Sequence, residues 1–382
     1  MIRVLHFNNA IYPYDVVDTA LTRLDTSKFD ILALTGQLAP VAGDYEVGTK
    51  YKLHCVNFKF VRPNYLKMFR ALVEEIRRFR PHILHAHGYD ENIIASVSVK
   101  FTRVPRYVIG RHYSDHIYYL TQGVKRKAFL AAEGFCNNTA NRIAVPTQGV
   151  AQILTDLQGV SAEKVTVIPF GLDFNKYRPS APEAPRRLRA QYGLEGKYMA
   201  LTCSRLNPEK GLEYLLRAIP EIKSINPDFR LVMVGSGIFE GELRKLTHEL
   251  NLDDLVQFVG WRNDVMDWLA AADLVVHPAF CESWCQVLFE ALAVGKPVIM
   301  TPVGAAPEVI GDNERGRLIP IGDSKAIVAA ITELMADREL GRRLGESGKQ
   351  YIHQHMGADS TARKYEDLYT TILENGQITN NV

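Results

Sequence analysis

The sequence has few cysteines, no long apolar run and almost no net charge, and each shortage argues against a class of protein. The five cysteines among 382 residues lack paired spacing, which argues against a disulfide framework and for a reducing compartment. No apolar run approaches the roughly 18 residues of a membrane span. The start MIRVLHFNNAIYP becomes polar too early for a secretory signal. The net charge of +2 argues against nucleic acid as a partner. We therefore expect a cytoplasmic protein.

The motifs of several enzyme classes are missing as well. The first strand runs into FNNAIYPYD and not into GxGxxG, which disfavours a nicotinamide enzyme. Cys281 and Cys285 have no second CxxxC and no histidine pair, so we expect no structural zinc and place both thiols in a pocket wall. No nucleophile elbow or kinase-type glycine loop occurs. We expect no cofactor and no metal.

What the sequence does contain is an alternation of short apolar strands and amphipathic helices. Strands such as IRVLHF and HILHAH come first, and a Pro- and Arg-rich linker or domain edge is expected near residues 174–190. The alternation then restarts with YMALTCSRL. The clearest helix, at 64–79, has apolar residues at helical spacing: Leu66, Phe69, Leu72, Val73, Ile76 and Phe79. The pattern predicts an α/β protein with two doubly wound, mainly parallel sheets, whose ligands sit at the carboxyl ends of the strands.

Two glutamates mark a candidate site in HPAFCESWCQVLFEALAVGKPVI. Glu282 follows the strand that ends at His277, and a helix predicted from Ser283 carries Glu290 about two turns in. Both carboxylates then face one crevice, where they can accept hydrogen bonds from sugar or ribose hydroxyls. The alternative is a helix N-terminal charge and a solvated glutamate.

Two cations and a glycine pair follow other strands of the second half. In CSRLNPEKGLEYLL, Arg205 and Lys210 flank the start of a helix, an arrangement suited to a diphosphate. Two solvated surface cations are the alternative. The turn Gly235–Gly237 permits close approach of a nucleotide, although a tight turn alone explains it equally well.

Histidines and basic residues stand out in the first half. His85 and His87 end one strand with His82 before them, and Arg111, His112, Asp115 and His116 follow another. The spacing does not establish a metal site. We favour a hydrogen bond from His87 to a substrate, and leave His112 open. Residues 1–170 carry 21 basic and 14 acidic side chains. Basic and aromatic residues interleave in 103–129, Tyr118 and Tyr119 among them, which suits an anionic membrane surface or solvated helix faces.

Taken together, the motifs resemble the retaining glycosyltransferases of family 4, which have the GT-B architecture. The family's Glu-x7-Glu element corresponds to Glu282–Glu290, and its G-R-L…K-G element to SRLNPEKG. Its interdomain V-I-P-N-G-V-D…F-x-P resembles VIPFGLDFNKYRP, and VGSGIFEGELRKL and FVGWRNDVMDWLAAADLVVHP follow in the family's order. The resemblance covers nearly the whole chain.

The resemblance implies two Rossmann-like domains that face each other across a cleft. Residues 1–172 would bind the acceptor, 173–357 the nucleotide sugar, and 358–382 would form a helix that crosses back to the first domain. The implied catalytic residues are His87, Arg205, Lys210 and Glu282. The implied donor-binding residues are Glu290, Gly235, Gly237, Val259, Arg262, Ser283, Trp284, Cys285 and Gln286, and Arg111 and His112 are assigned to the acceptor side.

The chain departs from the family pattern at three places. ESWC replaces the usual E-G-F-G, Ala305 stands in GAAPE where a second glycine is common, and Asn8, Asn9 and Ala10 replace a glycine pair. These changes affect donor choice more than reaction class.

The expected function is transfer of a sugar from a UDP- or GDP-type donor to a hydroxyl acceptor. The expected enzyme is retaining, of the hexosyltransferase type and metal-independent. The acceptor would be a glycan or lipid-linked molecule of polysaccharide, lipopolysaccharide or glycolipid synthesis, reached from the cytoplasm with peripheral contact to the inner membrane face. A nucleotide-sugar epimerase and a non-catalytic binding subunit are the alternatives.

Overall fold

The computed structural model describes residues 1–11, 16–38, 51–56, 58–59, 62–113 and 121–377. The chain divides into two compact units, which are residues 1–173 with 356–382 (the N-terminal unit) and residues 174–355 (the C-terminal unit). Each is an α/β unit built on one parallel sheet, as the alternation of strands and helices predicts. Among the helices of these described ranges, none is long and apolar enough to span a bilayer.

The N-terminal unit contains a seven-stranded parallel sheet in the order β3-β2-β1-β4-β5-β6-β7. Its strands are β1 Ile2–Ile11, β2 Phe29–Leu38, β3 Lys52–Cys55, β4 Ile83–His87, β5 Arg106–Gly110, β6 Arg142–Val145 and β7 Val165–Val167. Its helices are α1 Val16–Leu21, α2 Tyr65–Phe79, α3 Tyr89–Phe101, α4 Gly123–Thr139, α5 Gln148–Gln152 and, at the C-terminus, α14 Ala358–Gln377. Apolar residues cover both faces of the sheet, and α14 packs on the same face as α1. The sheet is therefore doubly wound.

The C-terminal unit contains a six-stranded parallel sheet in the order β10-β9-β8-β11-β12-β13. Its strands are β8 Tyr198–Cys203, β9 Phe229–Val234, β10 Val256–Gly260, β11 Leu274–His277, β12 Val298–Met300 and β13 Arg317–Leu318. Its helices are α6 Ala184–Gln191, α7 Leu212–Ile225, α8 Glu240–Glu249, α9 Val265–Ala271, α10 Gln286–Ala293, α11 Ala306–Ile310, α12 Ser324–Ala336 and α13 Arg338–His355. The strand order reverses at β8 and β11, and ligands of such sheets bind at this switch point.

Three details differ from the sequence-based expectations. The stretch 174–190, predicted as a linker or domain edge, begins where the chain enters the C-terminal unit, but it also contains most of α6, because Leu188 is buried against the unit and Arg189 bonds Asp273. Leu66, predicted on the apolar face of α2, is 62% exposed, and Met68 is buried in the core instead. Helix α10 begins at Gln286 and not near Ser283, because the backbone of Cys285 has a left-handed conformation.

Candidate functional site

The predicted cation and carboxylate of the C-terminal unit meet at the carboxyl ends of β8 and β11. The Lys210 Nζ lies 2.6 Å from Glu282 Oε1, and His277 Nε2 lies 2.8 Å from the same oxygen. Lys210 and His277 are buried, and the Glu282 side chain is 18% exposed. Sequence reasoning missed His277, although its position at the end of an apolar strand, five residues before Glu282, was a usable signal.

The electrostatics of this group keep Glu282 ionised. Burial by itself raises the pKa of Glu282, but the hydrogen bonds and charges of His277 and Lys210 outweigh burial and lower the pKa to about 2. Burial likewise lowers the pKa of His277, yet Cys285 and Glu282 outweigh it and raise the pKa above its usual value. Glu282 is therefore a fixed anion that accepts hydrogen bonds, and it is a poor general acid near neutral pH.

Glycines bring the loops of this site together. Gly211, which follows Lys210, has a φ of +61°, and a Cβ there would lie 2.2 Å from the Pro278 carbonyl oxygen. Gly304 has a φ of +57°, and a Cβ there would lie 3.0 Å from both the Glu282 Cβ and the Trp284 backbone. The loop after β12 therefore packs on the Glu282 loop only because residue 304 lacks a side chain.

The ESWC segment explains the late start of α10. Cys285 has a left-handed backbone, with φ 73° and ψ 72°, at the position where the resembled family has glycine. This conformation cannot continue a helix, so α10 begins at the next residue and Glu290 lies in its second turn. The prediction that this helix starts near Ser283, with Glu290 about two turns in, is therefore wrong about the start of the helix. Trp284 is buried and stacks on Phe289 with 4.1 Å between ring centroids, while Ser283 is half-buried.

Glu290 lies in a second environment beside the end of β8. Burial raises the pKa of Glu290, and a hydrogen bond from Gln286 opposes that shift. The pKa of the Cys203 thiol is raised to about 12 by burial and by the nearby charge of Glu290. The Gln286 Nε2 donates to the Tyr177 hydroxyl at 2.8 Å. Glu290 is thus next to Gln286 and Cys203. A carboxylate in this position can orient a polar ligand at this edge of the sheet.

The glycine turn after β9 has a structural role. A Cβ at Gly235 would lie 1.9 Å from the Ser204 carbonyl oxygen, and one at Gly237 would lie 2.2 Å from that of Leu206. The turn thereby supports the loop that carries Arg205, whose side chain is exposed and has no hydrogen bond or ion pair to the described residues. Arg205 is available to a ligand.

Val259 and Arg262 are two of the implied donor-binding residues, and the family resemblance implies that the backbone around them, near the end of β10, contacts the base. Val259 is within β10 and half-buried. Arg262 donates two hydrogen bonds to Asp264, at 2.8 and 2.7 Å, and its guanidinium lies 5.7 Å from the Trp268 ring centroid. The Arg262 side chain is thus held by its neighbours, which leaves the backbone of this segment as the part that can contact a base.

His87 belongs to a cluster of buried histidines in the N-terminal unit. His87 Nε2 is 2.9 Å from His6 Nδ1, and His87 Nδ1 is 2.8 Å from His112 Nε2. His85 Nδ1 is 2.7 Å from the Tyr369 hydroxyl, which also lies 3.3 Å from His6 Nε2. Both ring nitrogens of His87 are therefore engaged, so a direct bond to a sugar would require one of these contacts to open.

Burial sets the charge of the histidine cluster. It lowers the pKa of His6 to about 3 and that of His112 to about 4, and it holds the pKa of His85 and His87 well below the usual value. The four imidazoles are accordingly neutral at physiological pH.

Arg111, predicted on the acceptor side, is buried within the N-terminal unit. Its guanidinium lies 3.6 Å from Glu133 and 3.2 Å from Gln158, and it packs over the Tyr113 ring. These contacts tie α4 and the end of β5 together. Asp115, His116, Tyr118 and Tyr119 lie outside the described residues.

Two groups of side chains in the described ranges have metal-ligand composition. The nitrogen, oxygen or sulfur atoms of His6, His85 and His87, and those of His277, Glu282 and Cys285, lie within 4.8 Å of one another. In each group, atoms that could bind a metal already contact other side chains of the protein, such as Tyr369 in the first group and Lys210 in the second.

Comparisons with known proteins identify the family. Residues 16–176 match the family model described as Glycosyltransferase Family 4, and residues 186–351 match Glycosyl transferases group 1. EpsD of Bacillus subtilis strain 168, named as a glycosyltransferase, is 25% identical over 316 residues, which are 82% of each chain. The N-acetyl-alpha-D-glucosaminyl L-malate synthase of Bacillus anthracis is 30% identical over 196 residues, which are 50% of this chain and 51% of that protein.

Solved structures of glycosyltransferases have the same fold as this chain. HepE from Anabaena, in complex with UDP and glucose, superposes with a TM-score of 0.79 at 20% identity, over 97% of this chain and 100% of that one. WaaG, a glycosyltransferase of lipopolysaccharide biosynthesis, superposes with a TM-score of 0.73 at 17% identity, over 96% of this chain and 99% of that one. The GT-B fold is confirmed, and the chain belongs to the family 4 (group 1) nucleotide-sugar glycosyltransferases.

Proposed function

We propose that this glycosyltransferase moves a hexose from a UDP- or GDP-type donor to a hydroxyl group, with retention of the anomeric configuration and without a metal. The observation that carries the proposal is the Lys210 ammonium, fixed by Glu282 at the carboxyl end of β8, with the unengaged Arg205 in the same loop. Together they supply two positive charges for a diphosphate, which is the leaving group of the reaction.

The arrangement acts chiefly by stabilising charge that develops on the leaving diphosphate. Lys210 is held in place before the donor arrives, so little reorganisation is needed when the glycosidic bond breaks. Because the two cations supply this charge, the reaction is expected to need no divalent ion. Glu282 stays ionised and accepts hydrogen bonds from donor hydroxyls, while it keeps Lys210 oriented.

Glu290 is proposed to bind the ribose hydroxyls of the donor. Its position in the second turn of α10, beside Gln286 and Cys203, supports a role in orientation. HepE has been crystallised with UDP-glucose, which supports a nucleoside diphosphate sugar as donor here. Relatives that use GDP-mannose keep the GDP-type donor open. An epimerase or a non-catalytic subunit fits the named relatives less well.

The acceptor is proposed to be a glycan or a lipid-linked molecule met at an anionic membrane surface by the N-terminal unit. The start of α4 supports this, because Val124 is 83% exposed beside Lys125 and Lys127, which are also exposed. Co-sedimentation with anionic and with neutral vesicles tests it. Binding to neither would contradict the membrane part of the proposal and leave the reaction class untouched.

The first experiment is a thermal-shift screen of UDP-, GDP- and ADP-sugars with wild-type protein, Lys210→Ala and Glu290→Ala. A true donor raises the melting temperature by mass action, and both variants should weaken that shift. The donor found is then tested for turnover with and without EDTA, and NMR of the product reads the anomeric configuration. Stabilisation without turnover on any acceptor would favour the binding subunit, and loss of activity in EDTA would contradict metal independence.

A further inference from the structure

A cavity of the C-terminal unit lies at the edge of the sheet opposite the candidate site. It has a volume of about 190 Å³, and residues at the amino ends of three strands line it: Tyr198 of β8, Asp273 before β11, and Lys296 and Pro297 before β12. Helices α12 and α13 close its other side. Because the four residues of β11 span about 13 Å, the cavity is separate from the group at the carboxyl ends of β8 and β11.

Lys296 is the unusual residue of this cavity. Its side chain is half-buried and forms no hydrogen bond or ion pair with the described residues. Burial lowers the pKa of its ammonium group, a shift that Asp273 opposes and Arg189 reinforces. A cation that is partly removed from water normally has a counter-charge, which compensates for its desolvation. Lys296 lacks that counter-charge within the described part of the unit.

The acidic residue of the cavity is already engaged elsewhere. Among the residues that line the cavity, all of which the structure describes, Asp273 is the one with a carboxylate. Its Oδ2 accepts hydrogen bonds from the Arg189 guanidinium at 2.6 Å and from the Met199 backbone N–H at 2.7 Å. Three backbone carbonyl oxygens also accept hydrogen bonds from Arg189 and hold it in place. Asp273 is therefore the ionic partner of Arg189 and not of Lys296.

Arg338 supplies a second cation without an ionic partner. Its guanidinium lies 5.4 Å from the centroid of the Tyr198 ring, and the side chain is exposed, with no hydrogen bond or ion pair to the described residues. Arg342, one turn further along α13, also lines the cavity but pairs with Glu339 at 2.6 Å. Lys296 and Arg338 thus give this cavity two positive charges that the protein does not compensate.

We propose that this cavity binds a small phosphate-bearing anion, either inorganic phosphate or a phosphate monoester, between Lys296 and Arg338. A phosphate dianion matches the two uncompensated charges. A guanidinium can bind two phosphate oxygens at once, and an ammonium adds a point charge. A cavity of this size holds several waters, so a phosphate with a small organic group fits. The site is distinct from the donor site and does not rest on the proposed function.

Thermal unfolding with inorganic phosphate and with glycerol 3-phosphate, at constant ionic strength, tests the site, and glycerol is the uncharged control. Both anions should raise the melting temperature of the wild-type protein by mass action, and the concentration dependence gives Kd. Lys296→Met and Arg338→Met should each weaken phosphate binding about tenfold. Arg343→Met is the matched control, because Arg343 is exposed on α13 but does not line the cavity, and it should keep the wild-type Kd.

Phosphate can also bind the cations of the donor site, so Arg205→Ala is measured in parallel. The proposal expects phosphate to stabilise Arg205→Ala as well. Loss of stabilisation in Arg205→Ala but not in Lys296→Met would overturn the proposal, because phosphate would then bind at the donor site. An unchanged Kd in Lys296→Met and Arg338→Met, or no stabilisation of the wild type, would also overturn it. Arg338 is exposed, so its variant tests the proposal even if Lys296→Met fails to fold.

The two Kd values distinguish the sources of the phosphate group. Tighter binding of glycerol 3-phosphate would identify an organic phosphate as the ligand, and equal or weaker binding would identify inorganic phosphate. Either result supports the site if it depends on Lys296. None of these measurements uses turnover, so a wild-type protein that transfers no sugar would contradict the proposed function alone.

Discussion

At the scale of single residues, the candidate site depends on one carboxylate that forms ion pairs with two cations. Glu282 contacts Lys210 and His277 through the same oxygen, and removal of its charge leaves both partners buried without a counter-charge. Loss of the carboxylate charge is costly because Lys210 and His277 stay buried and no longer have the ionic partner that compensates for their desolvation.

We predict that Glu282→Gln lowers the free energy of unfolding by about 3 kcal/mol. Glu339→Gln removes an exposed ion pair with Arg342, which solvent screens, and should leave the free energy of unfolding almost unchanged. Urea unfolding of both variants measures the difference. Equal costs would mean that the Lys210–Glu282–His277 group contributes no more than a surface pair.

The strained backbone of Cys285 gives a second prediction at this scale. A non-glycine residue with a left-handed backbone costs about 1 kcal/mol, and the φ of Cys285 is 73°. Cys285→Gly and Cys285→Ala both remove the thiol, but only glycine relieves the strain. The glycine variant should therefore be the more stable of the two by about 1 kcal/mol. If the alanine variant is equal or better in thermal unfolding, the strain is absent.

At the scale of elements, the site is built from loops that approach one another closely. Phe280 N donates to the Glu209 carbonyl at 2.8 Å, and Gly211 lies against Pro278. The short turn Pro208–Lys210 before α7 and the loop after β11 thus form one unit, and this brings Lys210 to Glu282.

Gly211→Ala should separate these loops. The positive φ and the overlap with the Pro278 carbonyl together should cost about 2 kcal/mol or more, and donor-induced stabilisation should be lost as Lys210 shifts. Gly241→Ala is the control: a Cβ there meets nothing within 4 Å, and alanine in α8 should stabilise by up to about 1 kcal/mol. Opposite signs in thermal unfolding are the expected result, and unchanged donor binding in Gly211→Ala would contradict this account.

At the scale of the whole molecule, the buried histidines make the N-terminal unit sensitive to acid. Their folded-state pKa values lie below the unfolded value of 6.5, so the unfolded chain binds more protons between about pH 6.5 and pH 4. Stability is therefore fully present above pH 6.5 and falls as the pH drops. Glu91, with a pKa raised to about 8 by burial, has the opposite slope, but it is one group against four.

The expected loss is about 1.4 kcal/mol per pH unit for each buried histidine. Urea unfolding of the N-terminal unit at pH 5 and pH 7 measures this loss. His85→Asn removes one of the four buried histidines, so it should reduce the dependence of the unfolding free energy on pH by the contribution of one histidine. His248→Gln is the control, because that side chain is exposed in the C-terminal unit. A pH-independent unfolding free energy would mean that the imidazoles protonate in the folded state.

Sequence patterns predicted the sheets well because a parallel strand that is buried on both faces consists of a nearly continuous run of apolar residues. The prediction failed where local and tertiary preferences differ. Leu66 has helical spacing yet is exposed, and strand β3 was not predicted because Lys52–Cys55 is short and half polar. The start of α10 was missed because spacing does not reveal that Cys285 leaves the helical region.

The sequence by itself determined two doubly wound α/β units, the family, and the segments from which a donor site is built, because each depends on residues close together in the chain. The tertiary structure alone decided that Lys210 pairs with Glu282 across 72 positions, and that His85 meets Tyr369 across 284. Such contacts arise when separate strand ends meet at one sheet edge or a terminal helix covers one face. The physical reason is that a buried polar group must form a hydrogen bond or ion pair, and its partner is the group that the tertiary fold places beside it. That partner is distant in the sequence, so local residue spacing does not predict it.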